Sequence, residues 1–141
     1  MANMANTAAY SLNDGRQAVD VDSAKTLTVA DTGYVQNVIA DNIDVVLPAT
    51  AAQGVFTIRN GGVPRTNSTA GSGSNKSALV RVSPVAADQI QGGVGGTAVD
   101  NKELQNTKLT SKIGDEVTIA CVGETNGPIV LNIKGVWARE A

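Results

Sequence analysis

Ile113-Gly-Asp-Glu-Val-Thr-Ile-Ala-Cys121 decides the fold. Gly114-Asp115 is a turn pair, and from Glu116 the chain alternates, so that Val117, Ile119 and Cys121 share one face of a strand. Working outward, the same grammar recurs. Ile43, Val45 and Leu47 share a face until Pro48, which cannot donate to a ladder, stops the run. Phe56 and Ile58 form the next inward pair, closed by Asn60-Gly-Gly62, a strong turn signal between β runs. Val80 and Val82 face inward before Ser83-Pro84, and Ile129, Leu131, Ile133 and Trp137 share parity near the end. Upstream, Leu27 and Val29 oppose Thr26 and Thr28, and Asp31-Thr-Gly33 turns the chain into a further extended run, Tyr34 to Ile39. No window of helical length carries a 3.6-residue apolar period. Short strands between regular turn signals predict an all-β sandwich, jelly-roll-like, with Phe56, Ile58, Val117, Ile119, Leu131 and Trp137 among its inward residues.

At 141 residues the chain fits one domain with one aliphatic core, since it holds one Trp, one Phe and two Tyr. Residues 1–18 are small, polar and aperiodic and read as a flexible N-terminal arm; 19–141 read as a single β-sandwich domain. Two long loops interrupt it. Residues 61–77 are rich in Gly, Ser, Thr and Asn and read as an extended loop between two paired strands; residues 85–106 form a second irregular stretch over the surface.

Charge excludes several classes of function. Net charge is −2, with −4 in residues 1–58 and +2 in residues 59–141, an asymmetry that favours head-to-tail contact between copies only weakly. No basic stripe or aromatic platform suggests nucleic acid. No apolar run reaches membrane-span length, and the N-terminus lacks the charged and apolar regions of a signal peptide, so a soluble product made in the cytoplasm is expected.

The chain has no histidine, which removes Ser-His-Asp and Cys-His catalysis and histidine metal sites. The single cysteine, Cys121, reads as a buried, inert core thiol. Carboxylate pairs at Asp20/Asp22, Asp41/Asp44 and Asp115/Glu116 lie at turns or strand ends, where Asp serves the backbone, and no aromatic platform accompanies them. Asp41-Asn-Ile-Asp44 and Asp100-Asn-Lys-Glu103 carry oxygen ligands of the kind calcium takes, yet match no EF-hand loop. Gly92-Gly-Val-Gly-Gly96 lacks the following helix and the Lys-Ser/Thr pair of a phosphate loop, and reads as a flexible loop or a close backbone approach. The expectation is a non-enzyme with no cofactor and no metal.

The phrases Thr26-Leu-Thr-Val-Ala-Asp-Thr-Gly33, Leu47-Pro-Ala-Thr50 with Gly54, Val82-Ser-Pro84, Asp88-Gln-Ile-Gln-Gly92, Gly114-Asp-Glu-Val117 and Gly135-Val-Trp137 fall in a recognisable order. Over residues 25–138 that order resembles small virion proteins of tailed bacteriophages, in particular capsid cement (decoration) proteins. The resemblance implies a sandwich on the outer capsid surface of the virion. It would bind the major capsid protein, commonly as a homotrimer, and stabilise the shell by bridging subunits. A tail-fibre or other virion β-module binding a receptor or glycan is the alternative it leaves. Contact residues are expected at Asn3, Asn6, Tyr10 and Leu12 on the arm, Arg65 and Lys76 at the first long loop, and Trp137, as a core plug or an interface anchor.

Overall fold

In a computed structural model, residues 8–49, 54–63, 78–85, 88–107, 109–121 and 127–140 are described. They form eleven strands: β1 (Tyr10–Ser11), β2 (Gln17–Val21), β3 (Lys25–Thr26), β4 (Val35–Val38), β5 (Ile43–Val46), β6 (Gly54–Asn60), β7 (Val80–Ser83), β8 (Leu104–Asn106), β9 (Glu116–Cys121), β10 (Ile129–Lys134) and β11 (Ala138–Arg139). A 3-10 turn, Val29–Asp31, separates β3 from β4.

The strands build an all-β sandwich of two mixed sheets, one ordered β1-β2-β4-β6-β9-β10 and the other β11-β8-β7-β5-β3. From β2 to β7 the chain changes sheet at every strand, and each strand lies parallel to its predecessor in the same sheet. Ala18 sits beside Val35 and Val35 beside Thr57 in one sheet, while Lys25 sits beside Val45 and Val45 beside Val82 in the other. Parallel neighbours need a long crossover. Here the crossover of one sheet is the strand of the other, so β2–β3, β4–β5 and β6–β7 are successive coils of one wind. Antiparallel strands then close it: β9 on β6, β10 on β9, β8 on β7 and β11 on β8. The sandwich is as expected; its connectivity is a two-sided wind and not the antiparallel Greek keys of a jelly roll.

The arm and the first long loop also differ from expectation. Tyr10–Ser11 is a strand paired with Gln17–Ala18, so residues 10–11 and 17–18 of the expected arm belong to the sheet. Asn60-Gly61 does not make a hairpin: β6 and β7 lie in different sheets, because the chain crosses over there. Residues 64–77, which hold most of the first long loop, lie outside the described residues.

The core fills the space between the sheets. Val38, Phe56, Ile58, Val117, Ile119 and Cys121 meet Leu27, Val45, Leu47, Val80, Val82 and Leu104 from the opposite sheet. Trp137 joins them, 6% exposed, with its indole N–H donated to the Lys134 carbonyl at 3.0 Å. Leu131 is 59% exposed, against its expected inward position. The β9–β10 register slips between Val130 and Asn132, and this bulge turns Leu131 outward, so Val130 packs on the core in its place, while Ile133 packs there as its parity predicts. Val29 also leaves the interior, because it sits on the 3-10 turn and not on the strand its neighbour Leu27 suggests.

At one end of the sandwich the sheets are joined by a buried polar hub. Asn60, the last residue of β6, donates to the Asn106 side-chain oxygen at the end of β8 (2.7 Å) and to the Ala78 carbonyl (2.7 Å). Its own side-chain oxygen accepts the N–H groups of Gly62 (3.1 Å) and Ala78 (3.0 Å). Asn106 passes the chain on, donating to Asp115 (3.0 Å) and to the Val136 carbonyl (3.0 Å). Asp115 also accepts the Lys112 N–H at 2.9 Å. Asn60 thereby uses both donors and both lone pairs, the full capacity of an amide.

Gly135 is pressed against this hub. A Cβ there would lie 2.2 Å from the Asp115 carboxyl carbon, and φ is +91°. Gly33 has the same φ, with nothing within 4 Å of an added Cβ. The two positions separate backbone strain from collision. Gly33→Ala is expected to cost about 1 kcal/mol in urea unfolding. Gly135→Ala adds a clash with a buried carboxylate and should cost at least about 3 kcal/mol.

Candidate functional site

Residues suited to contact lie on three parts of the surface. The first is the outer face of the six-stranded sheet, where side chains at matching register form a polar row. Tyr10 of β1 donates its hydroxyl to Asp20 of β2. Asn37 of β4 donates to the Tyr10 oxygen (3.1 Å) and to Asp20 (3.3 Å), and accepts from Arg59 of β6 (2.7 Å). Burial, followed by its bond to Asp20, raises the Tyr10 phenol above its usual range and keeps it a neutral donor. This row holds β1, only two residues long, on the sheet.

Over the same face lies the Leu12–Arg16 turn, closed by Leu12 N–H to Arg16 C=O (2.8 Å) and Gly15 N–H to Leu12 C=O (2.9 Å). Arg16 grips Glu116 of β9 with two bonds of 2.8 Å and Asp14 at 2.7 Å. These bonds, to Glu116 first, raise the guanidinium's pKa, and the Arg16 bonds lower that of the exposed Asp14 carboxyl. Bidentate pairing of this kind fixes orientation.

The second part is the outer face of the five-stranded sheet. The Ser83 hydroxyl lies between Asp44 (2.6 Å) and Glu103 (3.1 Å), and Arg81 reaches Glu103 at 3.3 Å. Gln105 donates to the other Glu103 oxygen at 2.8 Å. Asp44, Arg81 and Gln105 are partners in register across β5, β7 and β8, and Ser83 and Glu103 extend the row, a ladder of the sort that tightens sheets.

The third part is the hub end. Leu109, Ile113 and Val136 are 93%, 52% and 55% exposed. Each sits on a segment tied to the hub: Ser111 donates to the Ala78 carbonyl (3.3 Å), Lys112 N–H to Asp115, and the Val136 carbonyl accepts from Asn106. None of the three is among the contact residues expected from the sequence. For Leu109 and Ile113 the available signal is an aliphatic residue isolated among Thr, Ser and Lys.

Of the contact residues expected from sequence, Tyr10 and Leu12 fall together on the first face, half-buried. Trp137 belongs to the core, which removes it as a surface anchor. Asn3, Asn6, Arg65 and Lys76 lie outside the described residues. The carboxylate pairs serve the backbone and the sheets: Asp41 accepts the Leu79 N–H at 2.8 Å, Asp44 holds Ser83, and Asp115 holds the hub. Among the described residues no three His, Cys, Asp or Glu side chains converge to hold a metal.

The glycine-rich stretch of the second long loop makes its close approach within the molecule. Arg139 donates to the carbonyls of Ile90 (2.5 Å), Gly92 (3.3 Å) and Gly95 (3.2 Å), and Ile90 is buried. Gln91 forms a bridge to Ile129 of β10.

No protein family, curated protein or solved structure matches the chain in comparisons with known proteins.

Cys121 is fully buried, and burial, with Asp88 nearby, pushes its thiol up to about 11. At pH 8 the folded protein therefore holds on the order of 0.1% thiolate. A chromogenic disulfide reagent is expected to leave the native protein unmodified at pH 8 and to titrate one thiol once urea unfolds it.

Proposed function

We propose that the protein is a structural virion component that binds the outside of a tailed-phage capsid and stabilises it by bridging major capsid subunits. The phage assignment rests on the ordered phrases between Thr26 and Trp137. The observation that carries a binding role is the hub end: Leu109, Ile113 and Val136 are exposed on segments tied to the hub by hydrogen bonds. Apolar side chains carried on a tethered backbone leave less backbone freedom to be lost when a partner covers them. A surface of this kind suits a junction between subunits better than chemistry on a small molecule.

The mechanism is linkage. A partner that binds only the assembled shell stabilises it by mass action, and many copies acting together multiply the effect. Residues before Tyr10 would add contacts of their own against a neighbouring subunit. Because β1 belongs to the sheet, a truncation that tests them must stop short of Tyr10.

Imaging of purified virions tests the reading: density on the capsid exterior is expected, and density on the tail would transfer the protein to the fibre alternative. In a shell-binding assay, Ile113→Asp with Val136→Asp is expected to weaken occupancy by at least about tenfold, the effect of losing central apolar anchors. Thermal stability should stay near that of the parent, since both side chains are exposed. Deleting residues 1–8 should lower occupancy while leaving the sandwich folded.

A further inference from the structure

Two residues that the hub cannot do without are also among the least durable neighbours in the chain. In Asn-Gly the glycine nitrogen meets no side-chain hindrance on its way to the asparagine amide carbon, so the dipeptide is prone to lose ammonia. The chain holds two such pairs, Asn60-Gly61 and Asn126-Gly127. At the first, the fold requires both members. Asn60 uses two donors and two lone pairs in the hub, and aspartate, which has no donor, cannot replace it. A Cβ on Gly61 would lie 2.6 Å from the Asn37 side-chain amide. That amide is held by Tyr10, Asp20 and Arg59, so it cannot swing aside without breaking the polar row.

Half of the reaction centre is well prepared in the folded protein. The Asn60 side-chain oxygen accepts the N–H groups of Gly62 and Ala78, the arrangement by which an oxyanion hole stabilises a tetrahedral intermediate. The nucleophile is what the fold withholds. The Gly61 N–H is donated to the Val38 carbonyl at 2.8 Å, so its proton faces an acceptor that is no base. Asn60 donates its own N–H to the Asp115 carbonyl (2.8 Å), and its carbonyl accepts the Gly114 N–H (2.8 Å). The backbone cannot turn the Gly61 nitrogen onto the side chain without opening these bonds. Asn60 is also fully buried, which keeps hydroxide away.

We propose that Asn60 is a latent site of spontaneous deamidation, silent while the hub is closed, active whenever the chain opens there, and irreversible for the fold once it has reacted. In the opened chain hydroxide takes the Gly61 amide proton, and the nitrogen attacks Asn60 Cγ. The new N–C bond forms as the bond from Cγ to Nδ2 breaks, and Nδ2 leaves as ammonia with a proton from water. Water then opens the cyclic imide at either carbonyl, leaving aspartate or isoaspartate. Either product puts an acceptor where the hub has donors, facing the Ala78 carbonyl and the Asn106 side-chain oxygen. The new carboxylate would also lie one residue from Asp115, which Asn106 bonds from its other side. Buried acceptors left facing one another, one of them charged, oppose closure of the hub. Chemistry confined to the open chain turns an equilibrium stability into a lifetime. The proposal stands on the hub and does not depend on a place in a virion.

The test incubates the full chain at pH 8, in buffer and in guanidinium chloride, and maps deamidation at both Asn-Gly pairs by mass spectrometry of its peptides. In denaturant Asn60 should convert alongside Asn126, which serves as the chemical clock. In buffer Asn60 should convert at least about tenfold more slowly than in denaturant, since only the open fraction reacts. When the denaturant is removed partway, chains that regain the parent melting temperature should carry intact Asn60. Chains converted at residue 60 should collect in the fraction that fails to refold, whatever the state of residue 126. Asn60→Asp, made directly, should fall short of the parent melting temperature or fail to fold. The proposal is overturned if Asn60 converts as fast in buffer as in denaturant, or stays intact in denaturant while Asn126 converts. It is equally overturned if chains with aspartate or isoaspartate at residue 60 refold to the parent melting temperature.

Discussion

The fold depends on one buried amide. Asn60 ends a strand in one sheet, Asn106 ends a strand in the other, and the 2.7 Å bond between their side chains ties the sheets together. Sheets that pack through aliphatic side chains alone can slide, because dispersion has little directional preference. A saturated amide cannot slide without leaving donors unsatisfied in the interior, at about 1–3 kcal/mol each. The bond therefore does more for register than for net stability. Through Asp115 and Ala78 the same chain of bonds fixes the turn into β9 and the return of the chain into β7. Both covering strands of the last coil, β8 and β9, meet at this point.

Above the hub, the parallel wind has its own demands. Each pairing joins residues from different coils, so few contacts are local in sequence. Topologies of this kind close slowly, since loop entropy is lost before pairing compensates it. The polar rows on the outer faces, Tyr10–Asp20–Asn37–Arg59 on one and Asp44–Ser83–Glu103 on the other, then brace each sheet across its strands.

Much of the strand content was legible in the sequence. Alternation placed Val117, Ile119 and Cys121, Phe56 and Ile58, and Ile43, Val45 and Leu47 on inward faces, and all of them are there. Alternation says which face a residue takes, but not which sheet its strand joins or in which direction. Asn60 shows the consequence. Followed by two glycines it carries the signature of a hairpin, while its actual work is to be buried and to bond across the sandwich. Leu131 fails for a different reason: one extra residue in β10 turns it outward, and nothing in an apolar run marks where a bulge falls. Of the exposed aliphatic residues at the hub end, Leu109, Ile113 and Val136 were not marked in the sequence. A residue exposed on a tethered loop and a residue in a strand approach look alike until the hydrogen bonds beneath the loop are known.

The clamp made by Arg139 sets an order of assembly. Its guanidinium closes on carbonyls that precede it by 44 to 49 residues. During synthesis the glycine-rich stretch must wait, bonded to water, until that single side chain arrives. A glycine-rich stretch open to proteolysis in a nascent chain is thus secured by a side chain made 44 to 49 residues later. A protease present during synthesis would meet a substrate that the finished protein no longer offers.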